Sequence, residues 1–164
     1  MIILVSDTSI LIDLERGGLL EAAFSCGLPM VVPDALYERE LKETNGQVLR
    51  HLGLGVVALN PDEVTSAQKL RNLRPGLSLP DCFALICAKR PDHALVTGDK
   101  LLRKTAVDHK CTVYGLLWIL DQMAASGLIS LAALHEGLVR ISNHARCRIP
   151  KDPMLERLQK WLPT

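Results

Sequence analysis

The chain has 164 residues, 48% of them apolar, and carries 19 Lys and Arg against 18 Asp and Glu. This length and balance exclude a largely disordered chain and fit one compact domain over residues 1–164. The longest stretch without a charged residue, 122–135, is too short to cross a bilayer core of about 30 Å, and residues 1–7 lack the pattern of a secretory signal. We therefore expect a cytoplasmic protein without membrane association.

Five short apolar runs rich in β-branched residues predict five buried strands. In chain order these runs lie at residues 2–5, 30–32, 56–59, 94–97 and 112–114. Stretches with helical spacing lie at residues 10–16, 19–25, 33–42, 62–73, 80–89, 99–110, 116–125, 131–141 and 154–161. This alternation predicts an α/β fold with helices on both faces of a mainly parallel five-stranded sheet. We assign residues 2–125 to its core and residues 130–164 to a C-terminal helical extension of the same domain.

Charge is unevenly distributed along the chain. Residues 1–43 hold eight acidic and three basic residues, a balance of −5. The balance is +5 over residues 69–110 and +4 over residues 140–164. Neighbouring acidic and basic patches suit a cation-loaded site that acts on a polyanion, and solvated helix faces are the alternative explanation.

Acidic residues follow the predicted strands at one edge of the sheet. Asp7 follows the first strand, Asp99 follows the fourth, and Asp81 opens the helix that leads into the fourth. Glu38 and Glu40 lie on the helix after the second strand. Because ligands of parallel sheets bind beyond the carboxyl ends of the strands, we expect these side chains to converge there. Taken singly, each acid is also explained as a helix cap or a solvated residue.

Converging carboxylates repel one another and are stabilised by a shared cation. Oxygen ligands favour a hard divalent ion, Mg²⁺ or Mn²⁺. Such an ion activates water and neutralises the charge of a phosphodiester during in-line attack. The acidic residues therefore indicate a metal-dependent hydrolase of phosphodiesters.

The order of these motifs resembles that of the PIN domain, a metal-dependent ribonuclease fold. The motifs are Asp-Thr-Ser at residues 7–9, an acid on the helix 33–42, Asp81 within Leu-Pro-Asp-Cys, and Thr-Gly-Asp at residues 97–99. The resemblance covers about residues 2–125 and implies a three-layer α/β/α fold. PIN domains occur in the toxin component of many prokaryotic toxin–antitoxin pairs and in RNA-processing proteins.

The resemblance also implies roles for individual residues. The four catalytic carboxylates that would hold Mg²⁺ or Mn²⁺ are Asp7, Glu40, Asp81 and Asp99. Ser9 and Thr97 would support these ligands through their hydroxyl groups. Some family members carry a further acid where this chain has Arg103, which implies that one metal site is weaker here.

The helix glutamate is ambiguous, because both Glu38 and Glu40 are available. At 100° per residue the two side chains point roughly 160° apart, so both cannot enter one site. We favour Glu40, because the nearby Leu36 and Leu41 place it at the edge of the buried stripe.

The expected partners are RNA, an antitoxin protein and a second copy of the chain in a homodimer. The basic residues expected to contact the RNA backbone are Lys100, Arg103, Lys104, Arg146 and Arg148, although a solvated helix face explains them equally well. By resemblance, an antitoxin would place an Arg or Lys side chain among the carboxylates. The leucines Leu11, Leu14, Leu19 and Leu20 are interpreted as a partner-helix surface, a homodimer face or ordinary core.

Two other functions compete with that of a ribonuclease. A phosphatase of the haloacid-dehalogenase type requires Asp-x-Asp after the first strand, and residue 9 is Ser. The stronger alternative is a non-catalytic PIN-like module that binds RNA or protein. A binding module would hold RNA in chelator and leave it intact when metal is added, whereas a nuclease would cleave only with metal.

Overall fold

The computed structural model describes residues 1–162, in which five parallel strands form one sheet. The strands are β1 (Ile3–Ser6), β2 (Met30–Pro33), β3 (Gly55–Val57), β4 (His93–Val96) and β5 (Val113–Tyr114). Their order across the sheet is β3-β2-β1-β4-β5, and every neighbouring pair is parallel. The predicted five-stranded parallel sheet is confirmed.

Helices cover both faces of this sheet. They are α1 (Thr8–Arg16), α2 (Leu20–Ser25), α3 (Asp34–Leu36), α4 (Gly46–Leu52), α5 (Pro61–Leu73), α6 (Leu79–Ala88), α7 (Lys100–Asp108), α8 (Leu116–Ser126), α9 (Leu131–Ser142) and α10 (Lys151–Lys160). The result is the predicted three-layer α/β/α arrangement, which is confirmed.

The central strand β1 is buried from both faces, which explains its continuous apolar run. Leu4 aligns with Met30 of β2 on one side and with Ala94 of β4 on the other. All three side chains are at most 2% exposed. Strands covered on both faces have no solvent side, so they lack the alternation of half-buried strands.

The direction in which strands are added reverses at β1. The chain places β2 and then β3 on one side of β1, and crosses to the other side for β4 and β5. Ligands of open α/β sheets bind at such a switch point, in the crevice beyond the carboxyl ends of the strands. The residues that follow β1 and β4 therefore occupy the expected ligand position.

The helix expected over residues 33–42 is not one regular α-helix. After α3 the chain forms a π-helical turn, Tyr37–Leu41, in which the backbone N–H of Lys42 donates to the carbonyl of Tyr37 at 2.8 Å. The next helix, α4, lies outside every stretch for which the sequence predicts helical spacing. A side chain at Gly46 would lie 2.8 Å from the carbonyl oxygen of Leu41, so the absence of a Cβ lets α4 start close to the π turn.

Of the explanations given for the leucines of α1 and α2, ordinary core is the one that their burial supports. Those leucines, Leu11, Leu14, Leu19 and Leu20, are at most 9% exposed and belong to the core. Helix α9 packs against α1, and a Cβ at Gly137 would approach Leu19 Cδ1 to 2.6 Å. Helix α9 of the same chain therefore covers these leucines, and neither a partner helix nor a second copy is needed to bury them.

Within residues 1–162, no helix has the length and apolar character needed to cross a membrane.

Candidate active site at the carboxyl edge of the sheet

Asp7 directly follows β1 and is almost completely buried, with 4% of its surface exposed. Its Oδ1 atom accepts a hydrogen bond from the backbone N–H of Ile10 at 3.1 Å, which caps α1. The Ser9 hydroxyl donates to the same oxygen at 2.7 Å. The Asp-Thr-Ser tripeptide folds in this way because a short side chain with an acceptor oxygen satisfies the free N–H groups of the first helical turn.

Thr97 links the ends of β1 and β4 across the switch point. It is fully buried, and its hydroxyl donates to Oδ2 of Asp7. The same hydroxyl oxygen accepts a hydrogen bond from the backbone N–H of Asp99 at 3.0 Å. Both carboxylate oxygens of Asp7 are therefore held in place, one by the first turn of α1 and the other by the residue that follows β4.

Burial raises the pKa of Asp7 to about 6. The hydrogen bonds from Thr97, Ser9 and Ile10 oppose this rise, because they stabilise the charged form. The negative charge of Asp81 adds to it. Since the repulsion between two charges decreases with distance, this contribution indicates that Asp81 lies in the neighbourhood of Asp7.

Asp81 and Asp99 both cap helices. The Asp81 backbone N–H donates to Ser78 Oγ at 3.1 Å, and the Ser78 backbone N–H donates to Asp81 Oδ2 at 3.2 Å. The Leu102 backbone N–H donates to Asp99 Oδ1 at 2.8 Å, and Arg148 Nη1 lies 3.3 Å from Asp99 Oδ2. The capping explanation is therefore correct for both side chains, which are also half-buried at the same edge of the sheet.

Glu40 and Glu38 have different surroundings. Glu40 is half-buried on the π turn, and its Oε2 accepts a hydrogen bond from the Thr8 hydroxyl, one residue after Asp7. Glu38 is exposed and pairs with Lys42 at 3.0 Å. The structure brings Glu40, and not Glu38, next to the capped start of α1. π-helical turns are frequent at functional sites.

A family model described as a PIN domain matches residues 3–162. The chain belongs to the PIN-domain family. The match extends over α9 and α10, beyond the range 2–125 on which the sequence resemblance rested. No curated protein matches the chain significantly. PIN domains are generally nucleases, so family membership supports a nuclease-type function.

The donor chemistry of this PIN domain fits a hard divalent cation, because the acidic edge (Asp7, Glu40, Asp81 and Asp99) offers only carboxylate oxygens. Each of these four side chains accepts a hydrogen bond within the fold. Within residues 1–162, no three Asp, Glu, His or Cys side chains lie close enough together to form a ready-made metal site. The structure therefore brings the predicted ligands to one edge, but not into contact around a common point.

The basic residues of this PIN domain are only partly free. Lys100, Lys104 and Arg146 are exposed, and no ion pair involving them is found within residues 1–162. Arg103 donates to the backbone carbonyl of Thr97 at 3.3 Å. Arg148 pairs with Asp99. These last two arginines therefore lie at the acidic edge itself.

Two residues near the site were not singled out from the sequence. Thr8 belongs to the Asp-Thr-Ser motif but has no predicted role there, and its hydroxyl donates to Glu40. Asp13 is half-buried; burial raises its pKa, and the nearby positive charges of Arg16 and Arg148 oppose the rise. Asp13 follows Ser9 by four residues on α1, a spacing that places both on one helix face and that the sequence therefore contained.

Proposed function

We propose that this PIN domain is a Mg²⁺- or Mn²⁺-dependent endoribonuclease that hydrolyses phosphodiester bonds in RNA. One observation carries the proposal. Asp7 is buried at the switch point of the sheet, hydrogen-bonded through both oxygens, and repelled by the nearby charge of Asp81. A buried carboxylate with a raised pKa at a ligand-binding edge is typical of a functional site, and a bound cation would stabilise its charged form.

Asp7, Glu40, Asp81 and Asp99 are the residues that would hold the cation. When bound, a divalent ion supplies positive charge against the phosphodiester and lowers the pKa of an attacking water. Thr97 and Ser9 orient the carboxylate of Asp7, because each donates to one of its oxygens. Lys100 directly follows Asp99 at the start of α7, Lys104 lies about one turn further along, and both are exposed, so they can provide charge for the RNA backbone.

The test is metal dependence of RNA cleavage. The wild-type chain should cleave single-stranded RNA when Mg²⁺ or Mn²⁺ is added, and should leave it intact in chelator. Binding of the same RNA in chelator is measured in parallel. RNA that is bound but stays intact in both conditions would contradict the nuclease.

The second candidate is a PIN-like module that binds RNA without cutting it. It is favoured by the capping bonds of Asp81 and Asp99, because these give both acids a role in the fold that needs no cation. The cleavage test above separates the two candidates.

We further propose that the nuclease is the toxin of a toxin–antitoxin pair. An antitoxin could inhibit the nuclease by placing an Arg or Lys side chain among the carboxylates of the acidic edge. The contact between Arg148 and Asp99 supports this, because it is an example of a guanidinium bound by one of those carboxylates. Expression of the wild-type chain alone should slow growth, whereas expression of Asp7→Asn should not. Equal growth with both chains would contradict a toxin role.

A further inference from the structure

A cavity of about 430 Å³ opens beside the acidic edge, on the side of β4. Its wall begins at Thr97 and Gly98 and continues over the start of α8 and the link between α9 and α10. This volume lies within the range of about 300–1,000 Å³ that is typical of small-ligand pockets. The cavity therefore has room for one small group, and its walls come from four parts of the chain, one of which is α1 through Asp13.

The inner surface of this cavity is apolar and contains an aromatic ring held in place. Leu116, Trp118 and Ile149 line it. Tyr114, which does not line the cavity, stacks on Trp118 with the ring centroids 3.9 Å apart and the planes 8° from parallel. Because this stacking already holds the indole of Trp118 in place, that side chain loses little conformational entropy when a ligand stacks against it.

Three cations and one acid, Asp13, surround this apolar surface, so positive charge is in excess. Lys100, Arg103 and Arg148 all line the cavity and are exposed. We call this site the basic cavity, defined by these three residues and Trp118. An aromatic ring with cations around it matches the two parts of a nucleotide, because bases stack on aromatic side chains and phosphates pair with Lys and Arg.

The basic cavity and the acidic edge share residues. Thr97 lines the cavity and donates its hydroxyl to Asp7. Arg148 lines the cavity and pairs with Asp99. A nucleotide in the cavity would therefore be adjacent to the carboxylates proposed for the chemistry.

We propose that the basic cavity holds one nucleotide of a single-stranded RNA, with its base against Trp118 and its phosphate on Lys100, Arg103 and Arg148. This nucleotide neighbours the phosphodiester that is hydrolysed, so the inference rests on the proposed function. Stacking tolerates every base, and the shape of the apolar surface selects among them. The cavity is thus a substrate-binding subsite that positions the scissile bond.

Trp161 provides a matched control. It also lines a cavity, of about 560 Å³, but the residues around that cavity include Asp121 and Glu156. Arg157 and Lys160 also line it and balance these two acids, so this cavity attracts a phosphate less than the basic cavity does. The chain has two tryptophans, so Trp161→Phe leaves Trp118 as the only one and Trp118→Leu leaves only Trp161.

The test measures RNA binding in chelator, where cleavage is not required. The probes are short labelled oligoadenylate and oligouridylate, followed by fluorescence anisotropy, and the unlabelled oligonucleotides, followed by tryptophan emission. Trp118→Leu should weaken binding by about 5- to 150-fold, the range for the loss of one stacked base. Trp161→Phe should bind as the wild type does and keep the quenching of tryptophan emission.

Gly98→Leu is a second variant that removes no core atoms. A Cβ at Gly98 would meet nothing within 4 Å, so the new side chain fits the backbone and takes up space in the cavity. It should weaken binding of the single strand, whereas a duplex of the same sequence should bind weakly to every variant, because its bases are already stacked.

Wild-type affinity in both Trp118→Leu and Gly98→Leu would overturn the proposal, as would quenching that is lost in Trp161→Phe. Tight binding through Trp118 without cleavage in Mg²⁺ or Mn²⁺ would support the proposed subsite and contradict the proposed nuclease activity. Cleavage that depends on metal but not on Trp118 or Gly98 would keep the nuclease and contradict the subsite.

Discussion

The acidic edge and the basic cavity lie side by side at the switch point and differ in burial as well as in charge. Asp7 is 4% exposed, and Glu40, Asp81 and Asp99 are half-buried, whereas the three cations of the cavity are exposed. A buried charge lowers stability unless hydrogen bonds or opposite charges stabilise it, and an exposed charge does not. The acids are therefore held by the fold, whereas Lys100 is available to a ligand and Arg103 and Arg148 each make one solvent-exposed contact at the edge.

Substitutions on the two sides should therefore have different consequences. Changes at the acidic edge should alter the reaction, the pKa of Asp7 and the free energy of unfolding. Changes around the basic cavity should alter affinity for RNA and leave stability nearly unchanged.

After the complete loss of cleavage expected from Asp7→Asn, the largest effect is expected from Glu40→Gln, with Glu38→Gln as its matched control. Gln retains an oxygen that can accept the hydrogen bond from Thr8, so the fold should be unchanged while the negative charge is lost. Cleavage should fall by more than the about 10- to 100-fold that is typical of residues which only orient a metal ligand. Glu38 pairs with Lys42 at the surface, so Glu38→Gln should keep wild-type rates in the same RNA cleavage assay. Loss in Glu38→Gln alone would reverse the assignment.

The next effect concerns stability and pH. The pKa of Asp7 rises from 3.8 to about 6 on folding, so the folded chain binds more protons than the unfolded chain between these values. The contribution of Asp7 to the free energy of unfolding should therefore fall by about 3 kcal/mol as the pH rises from about 4 to 7. Asn does not ionise and caps helices as well as Asp does. Urea unfolding in chelator should show Asp7→Asn gaining stability over the wild type as the pH rises.

A difference between Asp7→Asn and the wild type that stays constant from pH 4 to pH 7 would show that Asp7 does not titrate as its burial implies. The wild type measured with Mg²⁺ or Mn²⁺ serves as the control, because a bound cation should restore part of the stability lost at neutral pH.

A smaller effect is expected in the salt dependence of RNA binding. Each neutralising substitution at Lys100, Lys104 or Arg146 should reduce the slope of log affinity against log salt by about 0.7, provided that the residue contacts a phosphate. Arg140→Gln is the control, since Arg140 pairs with Glu136 and lies beside Gly18, beyond the last residue of α1. Slopes equal to that of the wild type in all three variants would mean that RNA enters elsewhere.

The smallest effect is expected from Arg148→Gln, which frees the carboxylate of Asp99. The two side chains are 51% and 37% exposed, so their ion pair is screened by solvent. Affinity for Mn²⁺ should rise by about 1.4- to 5-fold, the range for an exposed pair. Calorimetry on the wild type and the variant measures this change, and an affinity that is unchanged or lower would remove Asp99 from the metal site.

Much of the fold could be predicted because the pattern of apolar residues in the sequence shows which segments are buried. Runs such as Leu4-Val5 and Ala94-Leu95-Val96 are apolar at every position, since both faces of these strands are covered. The carboxyl ends of parallel strands lie at one edge, so Asp7 and Asp99 could be assigned to that edge before their contacts were known. Thr97 directly follows β4, so it could be assigned to the same edge.

The rest depends on contacts between distant segments. The π turn at Tyr37–Leu41 departs from the 3.6-residue period that sequence patterns reveal. The leucine stripe of α1 shows that something covers it, but the pattern does not show that α9 of the same chain does so. The basic cavity combines Thr97, Trp118 and Ile149, which only the tertiary fold brings together.

RNA cleavage by the wild type and by Asp7→Asn tests the difference between the acidic edge and the basic cavity most directly. RNA cleavage with Mg²⁺ or Mn²⁺ and RNA binding in chelator are followed on the same preparations, together with thermal melting. We predict that Asp7→Asn abolishes cleavage, keeps wild-type affinity for RNA and melts at the same temperature as the wild type or above it. Full cleavage by a folded Asp7→Asn chain would remove Asp7 from the chemistry and contradict the proposed nuclease site.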